Sequence, residues 1–134
     1  MRDIKFRGKP INGTGWVYGY YVYQFEIGYY SQGYTDVPPR VHYIFGDKGD
    51  FCEVDPATVG QFIDLPNYGV WEGDIYEFTR PWSNGALERG VVKCTEHAEW
   101  AVNAWMLTGI YEHGKPIGNI HDNPELLQGG GKGE

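Results

Sequence analysis

Between Glu53 and Phe78 the chain reads EVDPATVGQFIDLPNYGVWEGDIYEF, with stops and bends spaced too closely for a long helix. Asp55 is a good helix N-cap, because its carboxylate can accept a bond from an orphan N–H of the first turn. Pro56 follows at the first helical position, where its missing N–H costs nothing. Gly60 is expected to end that turn in a left-handed conformation. A strand and then a polar loop over Asp64 to Val70 are predicted next. Trp71-Glu72-Gly73-Asp74-Ile75 then places glycine where the backbone must bend into a short strand, Ile75 to Phe78. These residues specify a corner of a small β fold.

The rest of the chain has the same punctuation. Twenty glycines and eight prolines predict many turns and short strands, and the 16% aromatic content suits pleated surfaces. Length sets a single domain, residues 1–128, with a flexible glycine-rich tail over 129–134. Arg2 to Lys9 alternates: Ile4 and Phe6 face one way, Lys5, Arg7 and Lys9 the other, as in a half-buried strand with a basic outer face. Its cations are either a phosphate-contacting strip or a solvated edge that blocks strand addition.

Trp16 to Phe25 is strongly β. One face carries Trp16, Tyr18, Tyr20 and Val22, the other Val17, Tyr21, Tyr23 and Phe25, so both faces ask to be covered. Further aromatics follow at Tyr29, Tyr30 and Tyr34. Core packing, a subunit interface and base stacking are the competing readings. A stacking groove also needs cations, and from Thr14 to Tyr34 there is no Lys or Arg. The interface reading takes Trp16, Tyr18, Tyr20, Tyr21, Tyr23, Tyr29 and Tyr30 as its residues, since such side chains bury area while keeping a polar tip.

Val41 to Phe45 is predicted as a strand, followed by a hairpin turn at Gly46 to Asp50. Gly90 to Thr95 is another strand. Glu96 to Leu107 fits both a helical stripe and an alternating pattern, and its residues alone lean slightly to helix. Gly114 to Asn119 echoes Gly8 to Gly13, which suggests one turn used twice. Asn123 is read as the cap of a last helix beginning at Pro124 and docked by Leu126 and Leu127.

Three segments in order carry a family resemblance: Asp55-Pro56-Ala57-Thr58-Val59-Gly60-Gln61, Trp71-Glu72-Gly73-Asp74-Ile75, and Ile117-Gly118-Asn119-Ile120-His121-Asp122-Asn123-Pro124-Glu125-Leu126-Leu127. With Arg2-Asp3-Ile4-Lys5-Phe6-Arg7 they resemble the YopX family of small phage and prophage proteins. Trp71 stands where the family has Tyr, and Tyr76 where a small aliphatic is usual. The resemblance implies a barrel-like β fold, self-assembly and a bacterial cytoplasmic setting. It implies no catalytic residues, and it favours strand for Glu96 to Leu107.

No chemistry-bearing motif stands out. His42, His97, His113 and His121 match no metal-ligand spacing. Cys52 and Cys94 lack Cys-x-x-Cys spacing and are expected to lie buried and inert in apolar strands. Glu72 and Asp74 flank a corner glycine, where Asp bonds its own backbone. A net charge of −7 argues against a general nucleic-acid binder, and no apolar run approaches a membrane span.

The expectation is therefore a mainly β protein: a small SH3-like or barrel core of short antiparallel strands with one or two short capping helices. It is expected to be a cytoplasmic, non-enzymatic homo-oligomer without cofactor, meeting a host or phage protein. The alternative is a nucleic-acid-associated barrel acting through Arg2, Lys5, Arg7 and Lys9. A metal-dependent hydrolase using histidines and acids is a weaker third.

Overall fold

The computed structural model describes residues 4–26, 28–46 and 49–129. The expected mainly β architecture of short antiparallel strands is what forms, with two short helices. Arg2, Asp47, Lys48 and the tail beyond Gly129 lie outside the described residues. The chain divides into two compact units, Met1–Phe62 and Ile63–Glu134.

The first unit contains β1 (Phe6–Gly8), β2 (Val17–Phe25), β3 (Arg40–Phe45) and β4 (Phe51–Glu53), and β5 (Gly60–Leu65) starts in it. β2 changes partner along its length. Val17 to Gly19 pair with β1, whereas Tyr20 to Phe25 pair with β3. Beyond β4, Val54 bridges to Pro10, and Ile11 N–H and Asp55 N–H donate to the carbonyls of Glu53 and Lys9. These bonds bring β4 back to the chain leaving β1, so the pairings run in a ring. Ile44 and Val54 are buried, and a Cβ on Gly8 would lie 3.1 Å from Val54 Cβ.

Asp55 caps its turn as expected, its Oδ1 accepting from Ala57 N–H at 3.0 Å with Pro56 at the first position. Gly60 does not end that turn. Val59 closes it in extended conformation, and Gly60 is the first residue of β5, paired with Arg7. The strand at Arg7 is also shorter than the alternation predicted. Arg7 is buried and stacks its guanidinium 4.3 Å from the Trp16 ring, while Ile4 is exposed, so there is no continuous basic outer face.

In the second unit the predicted polar loop is a two-residue turn. Pro66 and Asn67 (φ 64°) join β5 to β6 (Tyr68–Trp71). The corner then forms as read: Gly73 takes φ 95°, and Asp74 Oδ2 accepts from Trp71 N–H at 2.9 Å. It feeds a five-stranded antiparallel sheet in the order β10-β9-β8-β7-β11, made of β7 (Asp74–Thr79), β8 (Leu87–Cys94), β9 (Trp100–Val102), β10 (Trp105–Met106) and β11 (Gly114–Asn119). Its core gathers Val70, Tyr76, Phe78, Val92, Val102 and Leu107.

The ambiguous segment is a strand hairpin, not a helix. Asn103 sits at φ 54°, and its Nδ2 donates to Glu88 Oε2 at 2.7 Å and to the Arg89 carbonyl at 3.0 Å. These bonds fix a two-residue turn that a helix could not contain. Helix α1 (Leu107–Ile110) begins only afterwards. Gly114 to Asn119 is likewise no second copy of the Gly8 to Gly13 turn, because it pairs with β7 across a bulge between Pro116 and Gly118. Asn123 does not put its side chain into α2 (Glu125–Gly129); its Oδ1 accepts from Asn119 N–H. Cys94, expected inside, is exposed at the end of β8, and Cys52 is half-buried; both are free thiols.

Two measurements test this packing. A Cβ at Gly19 would overlap the Phe45 carbonyl oxygen, so Gly19→Ala is expected to cost about 3 kcal/mol or more in urea unfolding. Gly8→Ala, whose added methyl meets the Val54 side chain at 3.1–3.3 Å rather than backbone, should cost about 1 kcal/mol. In the second unit, burial and then Tyr68 and Tyr111 push the Tyr76 hydroxyl up to about 12, while it donates to the Tyr111 carbonyl at 2.6 Å. The folded form keeps this proton longer than the unfolded chain does. Its contribution to stability is therefore complete below pH 10 and lost as pH rises to about 12. Tyr76→Phe should flatten that alkaline loss while lowering neutral-pH stability by about 1 kcal/mol.

Candidate functional site

Among the described residues, the aromatic strand is where large apolar side chains gather outside a core. Register sorts them onto opposite faces. Tyr20, Phe45 and Phe51 stand in one cross-strand row over β2, β3 and β4, with Tyr18 two residues away along the same face of β2. Tyr20 is 63% exposed and Phe51 50%, and Phe51 stacks on Phe45 with centroids 5.4 Å apart. Tyr43 lies on this face too, but is buried edge-on against both phenylalanines.

The opposite face holds Tyr21, Tyr23 and Phe25, paired in turn with Ile44, His42 and Arg40. Arg40 is exposed and lies over two rings, 5.2 Å from the Tyr23 centroid and 4.8 Å from that of Phe25. The His42 ring is 4.6 Å from Tyr23, and its Nδ1 is hydrogen-bonded to the Tyr21 hydroxyl at 2.5 Å. Burial, and secondarily Tyr23, raises the Tyr21 hydroxyl above its ordinary range. Beyond the ring of strands, β2 and β3 continue as a ribbon. From Tyr20 onward the described residues give β2 no ladder except the one with β3. Glu26 N–H donates to the Pro39 carbonyl and extends the ribbon by one more bond.

The loop at its end is held by Tyr29. The hydroxyl donates to Asp36 Oδ1 at 2.8 Å and the ring stacks 4.6 Å from Tyr34. That hydrogen bond, with lesser help from burial and from Glu26 and Tyr30, raises the Tyr29 hydroxyl. Tyr30 is exposed beside it.

The aromatic residues expected to share an interface are thus not on one surface. Tyr18 and Tyr20 face one way, Tyr21 and Tyr23 the other, Tyr29 and Tyr30 sit in the loop, and Trp16 lies beneath Arg7 and Lys9. Of the basic strip, Arg7 is inside, Lys5 reaches over the Phe62 ring at 5.4 Å, and Lys9 lies over Trp16. Arg40 and His42 are what the reading of Thr14 to Tyr34 missed. They lie farther along the chain, and only the hairpin register carries them onto the aromatic face. Pairing the alternation of Trp16 to Phe25 with that of Val41 to Phe45, across the intervening loop, would have been the signal.

The histidines do not form a set. His97 is exposed beside Glu96, His113 is exposed, and His121 lies against Gly73 near the corner. Among the described residues no group of three or more His, Cys, Asp or Glu could hold a metal ion, and no helix is long and apolar enough to cross a membrane. No family model, curated protein or solved structure matches the chain.

The Tyr21–His42 bond gives a direct check on this geometry. Tyr21→Phe should lower stability by about 1 kcal/mol and shift the His42 Nδ1 resonance in a nitrogen-edited NMR spectrum. An unmoved resonance would mean that the pair is not in contact.

Proposed function

We propose that the chain is a non-enzymatic accessory protein of the YopX kind, phage- or prophage-encoded and working in the bacterial cytoplasm through self-assembly and protein contact. The observation that carries this reading is the Tyr20–Phe45–Phe51 row. Three aromatic side chains in register across three strands give a flat patch, and two of them are at least half exposed. Isolated exposed apolar residues are ordinary, but a contiguous aromatic patch marks an interaction surface. Tyrosine and phenylalanine are also the side chains enriched in interface cores.

A second copy is the occupant that this patch fits. Under a two-fold axis the same row meets itself, so no separate complementary surface is required. Ring stacking across such a contact adds to the area buried, about 0.5–1.5 kcal/mol for each aromatic pair.

Sedimentation velocity over a concentration series tests the reading. The wild-type protein is expected to assemble, and Tyr20→Lys combined with Phe51→Lys to sediment as a monomer with an unchanged far-ultraviolet circular dichroism spectrum. A wild-type chain that stays monomeric at about 100 μM, well above the range of specific assemblies, would defeat it.

A further inference from the structure

We propose that the opposite face of the β2–β3 ribbon, built from Tyr21, Tyr23, Phe25, Arg40 and His42, binds single-stranded nucleic acid. This surface is separate from the Tyr20–Phe45–Phe51 patch, because successive residues of a strand point to opposite faces.

Three features point to this occupant. The first is spacing. Tyr23 and Phe25 are alternate residues of one strand, so their rings recur about every 7 Å along the ribbon. A row of rings at that interval offers successive π-faces to an extended strand, and every base can stack on such a face whatever its sequence. Tyr23 is 53% exposed and Phe25 46%, which leaves ring surface open.

The second is charge. The side chains that register places on this face of β2, β3 and β4 are Tyr21, Tyr23, Phe25, Arg40, His42, Ile44 and Cys52. None is a carboxylate. Glu53 pairs with Tyr43 and so belongs to the other face. A chain with a net charge of −7 thus keeps one aromatic face whose formal charge, among the described residues, is the Arg40 cation. A phosphodiester chain complements that face, whereas a basic partner would be repelled by it.

The third is preorganisation. Arg40 is held against both rings, so its planar guanidinium is fixed beside the place where a base would stack. A guanidinium so placed can donate to a phosphate or base edge without first losing side-chain freedom. A duplex does not offer unstacked bases, so this face selects single strands.

The test is fluorescence anisotropy with a labelled oligothymidylate at low salt, and the same sequence as a duplex for comparison. Binding to the single strand is expected, weakening with added salt with a slope of about −1, as for one or two phosphate contacts. Arg40→Glu should weaken it at least tenfold, and Tyr23→Ser by roughly five- to a hundredfold, the range for losing one stacked base. Tyr20→Ser, on the other face, should leave it unchanged. Far-ultraviolet circular dichroism and melting curves establish that each variant folds. Absence of wild-type binding would overturn the proposal. So would equal binding to the duplex, or loss with Lys5→Glu and Lys9→Glu while Arg40→Glu has no effect. Because the anisotropy measurement does not require assembly and sedimentation does not require an oligonucleotide, either reading can fail without the other.

Discussion

The first unit depends on a single close approach, that of Gly19 to the carbonyl of Phe45. The backbone of β2 comes so near this oxygen that a methyl group on Gly19 would overlap it. That approach is where β2 leaves β1 and takes up β3. Each short flanking strand can then stay short. β1 covers only the beginning of β2, β4 covers only the end of β3, and the Pro10–Val54 bridge joins what remains. The excess length of β2 and β3 becomes a ribbon with two solvated faces. A side chain at Gly19 would force the strands apart, and the ring and the ribbon would be lost together.

The second unit is fixed by side chains that replace missing ladders. Asp74 completes the backbone of the Trp71 corner, and Asn103 ties its turn to Glu88 and Arg89. Arg89 in turn donates to Glu77 at 2.8 Å and to the Leu126 carbonyl at 2.8 Å, which holds α2 against the strands. Asn119 accepts from the N–H groups of His121 and Asp122 through one oxygen. Asp74, Asn103 and Asn119 stand where a strand begins or ends and an unpaired N–H or C=O would be costly, whereas Arg89 and Glu77 pair within their strands. This is how a sheet of two- to eight-residue strands stays ordered.

The sequence makes local chemistry legible where one residue type determines the backbone by itself. Asp55-Pro56 and Gly73-Asp74 are such places, and both form as read. It fails where the deciding partner is remote. Gly60 looks like a helix stop until Arg7 pairs with it. Glu96 to Leu107 satisfies a helical stripe until Asn103 finds Glu88, fifteen residues away. Arg7 alternates as an outer residue until Trp16 takes its guanidinium. The same reason hid the candidate site. The rings were visible as a run of tyrosines, but their division between two faces, and the arrival of Arg40 and His42 on one of them, follow from hairpin register alone.

Separate faces matter to an acidic protein that carries an aromatic strand. Were all the rings on one face, assembly and ligand binding would compete for them. Alternation instead gives each face a separate character. The Tyr20 side is joined by Phe45 and Phe51 from neighbouring strands and is the side proposed to meet a second copy. The Tyr23 side is joined by Arg40 and His42, and the Arg40 cations of two such faces would oppose their meeting. On the proposed reading the cation would do two things at once: disfavour assembly through the wrong face and leave that face open to an anionic strand.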